Sequence, residues 1–160
     1  MTTVGLTMIF IMFVCLFVSV SCRRNGCPGL GQAPTSVKRV GFHAMLNPFI
    51  TLTSSRTVIF DHIISNKGRG YNSRTGLFTA PYAGQYYFIC STLAVNGGLH
   101  LQMTRNGEEI TRGYSARTGS MSVVISLRKG DIVKVRHFPG KGAERIYGNK
   151  WSFFTGYLIR

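Results

Sequence analysis

Acidic side chains are scarce in this 160-residue sequence: 5 Asp plus Glu stand against 19 Lys plus Arg, a formal charge of +14 with histidine neutral. So few carboxylates leave little material for general acid/base chemistry or for an oxygen-rich cation cage, which argues against an enzyme. The 4 histidines (His43, His62, His100 and His137) fall in no HxH or HExxH spacing, and the 4 cysteines form no CxxC pair. No metal site, cofactor or catalytic residue is therefore expected. No segment sustains a helical period. None of Asn25, Asn47, Asn66, Asn72, Asn96, Asn106 and Asn149 begins an Asn-x-Ser/Thr acceptor, so asparagine glycosylation is not expected.

What is present is apolar and basic. Hydrophobic residues make up 44% and aromatics 12%, enough to close the core of one domain, which is also what the length allows. The positive charge should attract acidic partners: nucleic acid, anionic glycans, bacterial surface lipids or another protein. The basic residues are dispersed among strands with no nucleic-acid-binding motif, so nucleic acid is not expected as the main partner.

The chain divides into three parts. Val4 to Val20 is almost continuously apolar and carries no charge. With small residues at Ser19 and Ser21, residues 1–21 read as a secretory signal peptide cut after Ser21, which implies a secreted, extracellular protein with no stable membrane insertion after cleavage. A signal anchor, with Arg23 and Arg24 as its positive flank, is the competing reading. Ser-Val-Ser-Cys also faintly resembles a lipoprotein cleavage box. Residues 22–38 form a Gly/Pro-rich arm bearing Cys22 and Cys27, suited in an oxidising space to linking chains, or else to closing a local loop. Residues 39–160 hold the folded domain, in which Cys90 reads as a buried free thiol.

Strand patterning runs throughout this domain. Val58 to Ile64 is β-branched and aromatic. Tyr86, Phe88 and Cys90 share one face of an alternating run, as do Leu99, Leu101 and Met103, and then Met121, Val123, Ile125 and Leu127. Asn106-Gly107 closes a hairpin, Arg128-Lys129-Gly130-Asp131 makes a turn, and Val133 and Val135 face inward on the return strand while Lys134 and Arg136 face out. Ser152 to Ile159 reads as the final strand. Short strands at regular spacing with Gly-rich turns imply an all-β sandwich or jelly roll.

A spaced motif is more specific. Phe60, five residues, Asn66, four residues, Tyr71, six residues, Phe78, five residues, Gly84, then Tyr86 and Phe88 resembles the signature of the complement C1q globular domain. The last position of that signature is Cys90 here in place of Phe or Tyr. Phe78-Thr79-Ala80-Pro81-Tyr82-Ala83-Gly84, Leu127-Arg128-Lys129-Gly130-Asp131 and Phe154-Thr155-Gly156-Tyr157-Leu158-Ile159 extend the resemblance from about Val40 to Ile159. It implies a ten-stranded jelly roll related to the tumour-necrosis-factor fold, assembled as a homotrimer. It further implies a secreted, non-enzymatic recognition or signalling role. The short type without a collagen stalk resembles lectin-like innate-immune receptors of microbial surface molecules such as lipopolysaccharide. The Cys22/Cys27 arm is similar to that of the synaptic cerebellins, where such cysteines link chains, which suggests a cell-surface receptor as the alternative partner.

For ligand binding, Lys134, Arg136, Lys141 and Arg145 form the strongest candidate basic patch: two on the outer face of a strand, two assigned to the loop after it. Such groups pair with carboxylate, sulfate or phosphate, and loops on a rigid sandwich are common recognition sites. The plainer account is a solvated face kept positive for solubility. Arg105, Arg112 and Arg117 form a second, weaker set. Lys129-Gly130-Asp131 resembles an integrin-type tripeptide, but turn chemistry explains it better.

Overall fold

The computed structural model describes residues 38–160. The proposed signal peptide, nearly all of the arm, and Cys22 and Cys27 lie outside the described residues. The described chain is all-β, with twelve strand segments in chain order. They are β1 (Gly41–Met45), β2 (Ile50–Leu52), β3 (His62–Lys67), β4 (Tyr71–Asn72), β5 (Leu77–Thr79), β6 (Gly84–Val95), β7 (Leu99–Arg105), β8 (Glu108–Ser115), β9 (Thr118–Leu127), β10 (Ile132–His137), β11 (Glu144–Ile146) and β12 (Phe153–Leu158). Four of the segments, β2, β4, β5 and β11, are only two or three residues long, so the count exceeds the ten implied by the resemblance.

Two antiparallel sheets pack face to face as a jelly-roll sandwich. The larger, seven-stranded, runs β2-β11-β6-β12-β1-β3 with β9 on the other edge of β6; the smaller, five-stranded, runs β4-β5-β10-β7-β8. Alternation decides which side chains enter the core. Tyr86, Phe88 and Cys90 of β6, Leu99, Leu101 and Met103 of β7, Met121 and Leu127 of β9, and Val133 and Val135 of β10 are all buried. The β-branched run after Val58 behaves differently from its pattern. Residues 58–61 lie outside any strand, the Val58 N–H donating to the Val135 carbonyl (2.9 Å), and β3 starts only at His62. β-branching favours an extended chain, but the ladder partner decides where a strand begins.

The spaced motif builds the centre of the sandwich. The Phe42 ring stacks on Tyr71 (centroids 4.7 Å) and on Phe78 (5.2 Å) and meets Phe154 edge-on (5.0 Å), with Phe88 beside it. The Tyr71 hydroxyl accepts from the Phe60 N–H and donates to the Phe60 carbonyl, each at 3.1 Å. Asn66 clamps the Tyr71 backbone: its Nδ2 donates to the Tyr71 carbonyl (2.7 Å) and its Oδ1 accepts from the Tyr71 N–H (3.2 Å). The motif glycine, Gly84, lies where a Cβ would collide with the Arg160 carbonyl. Asn106 and Gly107 take φ values of 51° and 96°, the left-handed conformations that a two-residue hairpin turn requires.

Because the Tyr71 hydroxyl satisfies two buried backbone groups at once, Tyr71→Phe strands both. The variant should lose about 1–3 kcal/mol of unfolding free energy, read as a lower urea midpoint with an unchanged slope.

Candidate functional site

The outward face of the smaller sheet is assembled by register. On adjacent strands His100 lies opposite Tyr114, with Phe138 beyond it donating its N–H to the His100 carbonyl (3.0 Å). In the next row Gln102 stands between Arg112 and Arg136, and in the row after that Thr104 lies opposite Lys134. An aromatic row therefore borders a cationic row on one surface. The middle of this face is not a loose solvated layer, since Gln102 is only 2% exposed. With its amide oriented by its neighbours, its nitrogen donates to Glu109 Oε2 (2.6 Å) and its oxygen accepts from Arg136 Nη2 (2.7 Å) and Nε. Glu109 in turn holds Arg112 through Nη2 (2.6 Å) and Nε (2.7 Å), and the Arg112 guanidinium lies 5.2 Å from the centre of the Phe138 ring.

The four cations of the strongest sequence-derived patch are not all brought together. Lys134 and Arg136 do share the outer face of β10, but Arg136 is half-buried with its guanidinium occupied by Gln102. Lys134 lines a separate cleft with Leu77, Thr104, Asn106 and Ile132. Lys141 is exposed in the following loop and lines a cleft with Arg112, Tyr114 and Phe138. Arg145 is not in that loop: it belongs to β11, paired with Thr51 and Val95 in the larger sheet, where it alternates outward from buried Ile146. The second set is scattered too. Arg105 meets Glu108 (3.7 Å) and Arg117 lines a cleft with Tyr147 and Trp151. Only Arg112 joins the aromatic row.

All five carboxylates are committed to structure. Asp61 accepts from the Asn47 N–H (2.9 Å). Asp131 accepts from Asn106 Nδ2 (2.9 Å) and the Arg128 N–H (2.9 Å). Those bonds hold its carboxyl below the usual range, the Asn106 bond most strongly. The 129–131 tripeptide thus serves its turn. Glu108 and Glu109 pair with Arg105 and Arg112. Among the described residues no lysine has a carboxylate partner.

The fifth, Glu144, makes a cluster that residue spacing gave no sign of. From β11 it reaches across to the smaller sheet, where Oε2 accepts from the His100 N–H (2.6 Å) and His137 Nε2 (2.9 Å), and Oε1 from His100 Nδ1 (2.7 Å). An ionised carboxylate only accepts, so it assigns protons to His100 Nδ1 and His137 Nε2. The Glu144 carboxyl sits below the ordinary glutamate range. Burial alone raises it, and the bonds from the His100 backbone, the His100 ring and the His137 ring together outweigh that. His137 is fully buried. Its separation from His100 and Glu144 in sequence follows no motif, and only strand pairing unites them. Cys90 is equally enclosed, burial raising its thiol well above the usual value, so it stays protonated and unavailable for disulfide formation.

Removing the shared acceptor leaves three donors unpaired, so Glu144→Ala should cost about 2–4 kcal/mol near neutral pH. A depressed carboxyl contributes stability that is complete above the unfolded value of about 4.3 and is lost as pH falls through the lower folded value. The gap between wild type and variant in denaturant titrations should therefore narrow as the pH is taken down through that window.

A family model described as the C1q domain matches residues 41–159. Complement C1q tumor necrosis factor-related protein 2 of Mus musculus is 34% identical over 107 residues, covering 62% of this chain and 36% of that protein. Its Homo sapiens counterpart is 34% identical over the same length, covering 38% of that protein. Caprin-2 of Danio rerio is 31% identical over 137 residues, 79% of this chain and 15% of that protein. The chain spans well under half the length of these relatives. Among solved structures, the globular domain of zebrafish complement 1qA protein superposes with a TM-score of 0.66 at 24% identity, over 76% of this chain and 98% of that one. Eiger TNF from S. frugiperda gives 0.63 at 12% identity, over 77% and 94%. Both show the fold. With its signature residues placed at the centre of a jelly roll and the family model matching nearly the whole described length, the chain belongs to the C1q domain family.

Proposed function

We propose that this chain is a secreted, non-enzymatic recognition protein that works as a homotrimer and binds acidic glycans or microbial surface molecules through its cationic outer surface. The observation that carries this reading is the absence of charge over the central strands of the larger sheet, where Lys67 of β3 and Arg145 of β11 lie toward the margins. The outward positions of these central strands include Ser122, Val124 and Ser126 on β9, Tyr87, Ile89 and Ser91 on β6, Phe153, Thr155 and Tyr157 on β12, and His43 and Met45 on β1. Not one is Lys, Arg, Asp or Glu, in a chain with 19 Lys plus Arg. Tyr87 and Tyr157 pair in register at 5.5 Å, and Val124 and Tyr157 stand exposed beside them. An uncharged aromatic face on so basic a chain suits burial between subunits, where charge is depleted and Tyr and Phe are enriched. The opposite face, with its lysines free of carboxylates, is then left for anionic ligands.

Light scattering on the protein without its leader should give three times the chain mass, and Tyr157→Lys, which places like charges together at the buried face, should return monomers. Binding to an acidic glycan and lipopolysaccharide panel should survive physiological salt, where diffuse attraction between exposed charges is screened. A trimer that binds no polyanion there overturns this reading and favours a protein receptor as the partner. Because Cys90 is enclosed, interchain disulfides fall to Cys22 and Cys27. Chain-linked species on non-reducing gels should disappear in Cys22→Ser/Cys27→Ser protein.

A further inference from the structure

We infer that the outer face of the smaller sheet carries a subsite for an acidic pyranose, a sugar ring bearing carboxylate or sulfate, with Tyr114 as the ring platform and Arg112, seated on Phe138, and Lys141 as the anion clamp. This deepens the recognition reading above and rests on it. The cleft lined by His100, Leu101, Arg112, Tyr114, Phe138 and Lys141 holds about 300 Å³, the small end of the range for ligand sites and suited to a single ring. Tyr114 is 62% exposed although it is aromatic, and its ring is held 4.7 Å from that of His100. His100 is itself fixed by two bonds to Glu144. The platform is therefore preorganised: a carboxylate from the larger sheet holds the imidazole, and the imidazole backs the tyrosine.

The cations are set in the same way. Glu109 occupies Nε and Nη2 of Arg112, while the Phe138 ring lies beneath the guanidinium, which orients the group and leaves its remaining donors for a ligand. Lys141 has no carboxylate partner among the described residues. The C–H face of a pyranose carries partial positive charge and meets the negative face of an aromatic ring, while its acidic substituent reaches Arg112 and Lys141. A bare phosphate group uses the cations and leaves the Tyr114 ring idle. A neutral sugar uses the Tyr114 ring and leaves Lys141 and the remaining Arg112 donors unused. The juxtaposition selects a ligand that has both parts.

The test is calorimetric titration of the intact protein at physiological salt with oligogalacturonate (carboxylate), a heparin-derived oligosaccharide (sulfate), dextran oligosaccharide (neutral) and inorganic polyphosphate. Tyr114→Ala should weaken whichever acidic saccharide binds by about tenfold, equivalent to about 1.4 kcal/mol, and leave polyphosphate unchanged. Lys141→Ala, in an exposed loop, should weaken acidic saccharide and polyphosphate alike, with thermal midpoints confirming that both variants are folded. The carboxylate and sulfate arms identify the anion. If wild-type protein binds acidic saccharides and Tyr114→Ala binds them equally well, the subsite is wrong while the recognition reading stands. If wild-type protein binds none of the anionic probes, both fall.

Discussion

The ring of Phe42 lies nearly parallel to Tyr71, with centroids 4.7 Å apart, and meets Phe154 edge-on at 5.0 Å, so one side chain of the larger sheet is held between both layers. Offset and edge-to-face contacts have defined geometry, unlike aliphatic packing, and they fix how one sheet sits on the other. Much else follows from that placement. The sheets converge where β11 passes β7, which lets Glu144 reach His100 and His137. The same placement keeps β10, β7 and β8 in one surface, on which rows of aromatic and cationic side chains lie side by side. Asn66 and Tyr71 maintain it by local bonds that cost no burial of charge: an amide closes on the Tyr71 backbone and a hydroxyl on that of Phe60.

Charge is the second constraint. With 5 acidic side chains against 19 basic ones, each carboxylate has a disproportionate effect on where positive charge is neutralised. Two are used at loop and turn backbone, at Asn47 and Arg128. One is spent on a pair of histidines rather than on a lysine or arginine. Glu108 and Glu109 sit on β8 and orient Arg105 and Arg112 instead of cancelling the field of the sheet. Surface pairs of this kind contribute little stability. Their consequence here is positional: Arg112 is held over Phe138, and the lysines are left unpaired.

The fold was legible because its signals are local. Alternation placed Tyr86, Phe88 and Cys90 inside, and the Asn106-Gly107 and Arg128–Asp131 turns fell where their chemistry put them. The spaced aromatic motif was legible as well, though not its reason: that Tyr71 satisfies the backbone of Phe60, and that Phe42, outside the motif, lies at its centre. The site was much less so. Lys134, Arg136, Lys141 and Arg145 are near one another in sequence, and proximity along the chain suggested proximity in space. In a sandwich, a few residues of loop are enough to carry the chain to the other sheet, and Arg145 crossed with β11. Conversely, Arg112 and Lys141 are distant in sequence but line one cleft. Residue type was readable from the sequence; which residues meet depended on strand pairing, and no spacing rule encodes that.

The separation of an uncharged face from a cationic one has a further consequence if the chain assembles as proposed. Three copies of a chain carrying +14 repel one another, and association is tolerable only when the charge points outward and the contact surface holds none. The outward row of Val124, Tyr87 and Tyr157 meets the second condition and the Arg112–Arg136 face the first. A cleft that takes a single sugar ring binds weakly on its own, because few contacts must offset the entropy lost on binding. Three such clefts fixed on one rigid body turn the second and third encounters into intramolecular ones, and avidity then rises without any new contact. In the proposed trimer, the uncharged central strands of the larger sheet would set how many sites act together, and the cationic face of the smaller sheet would set what each site accepts.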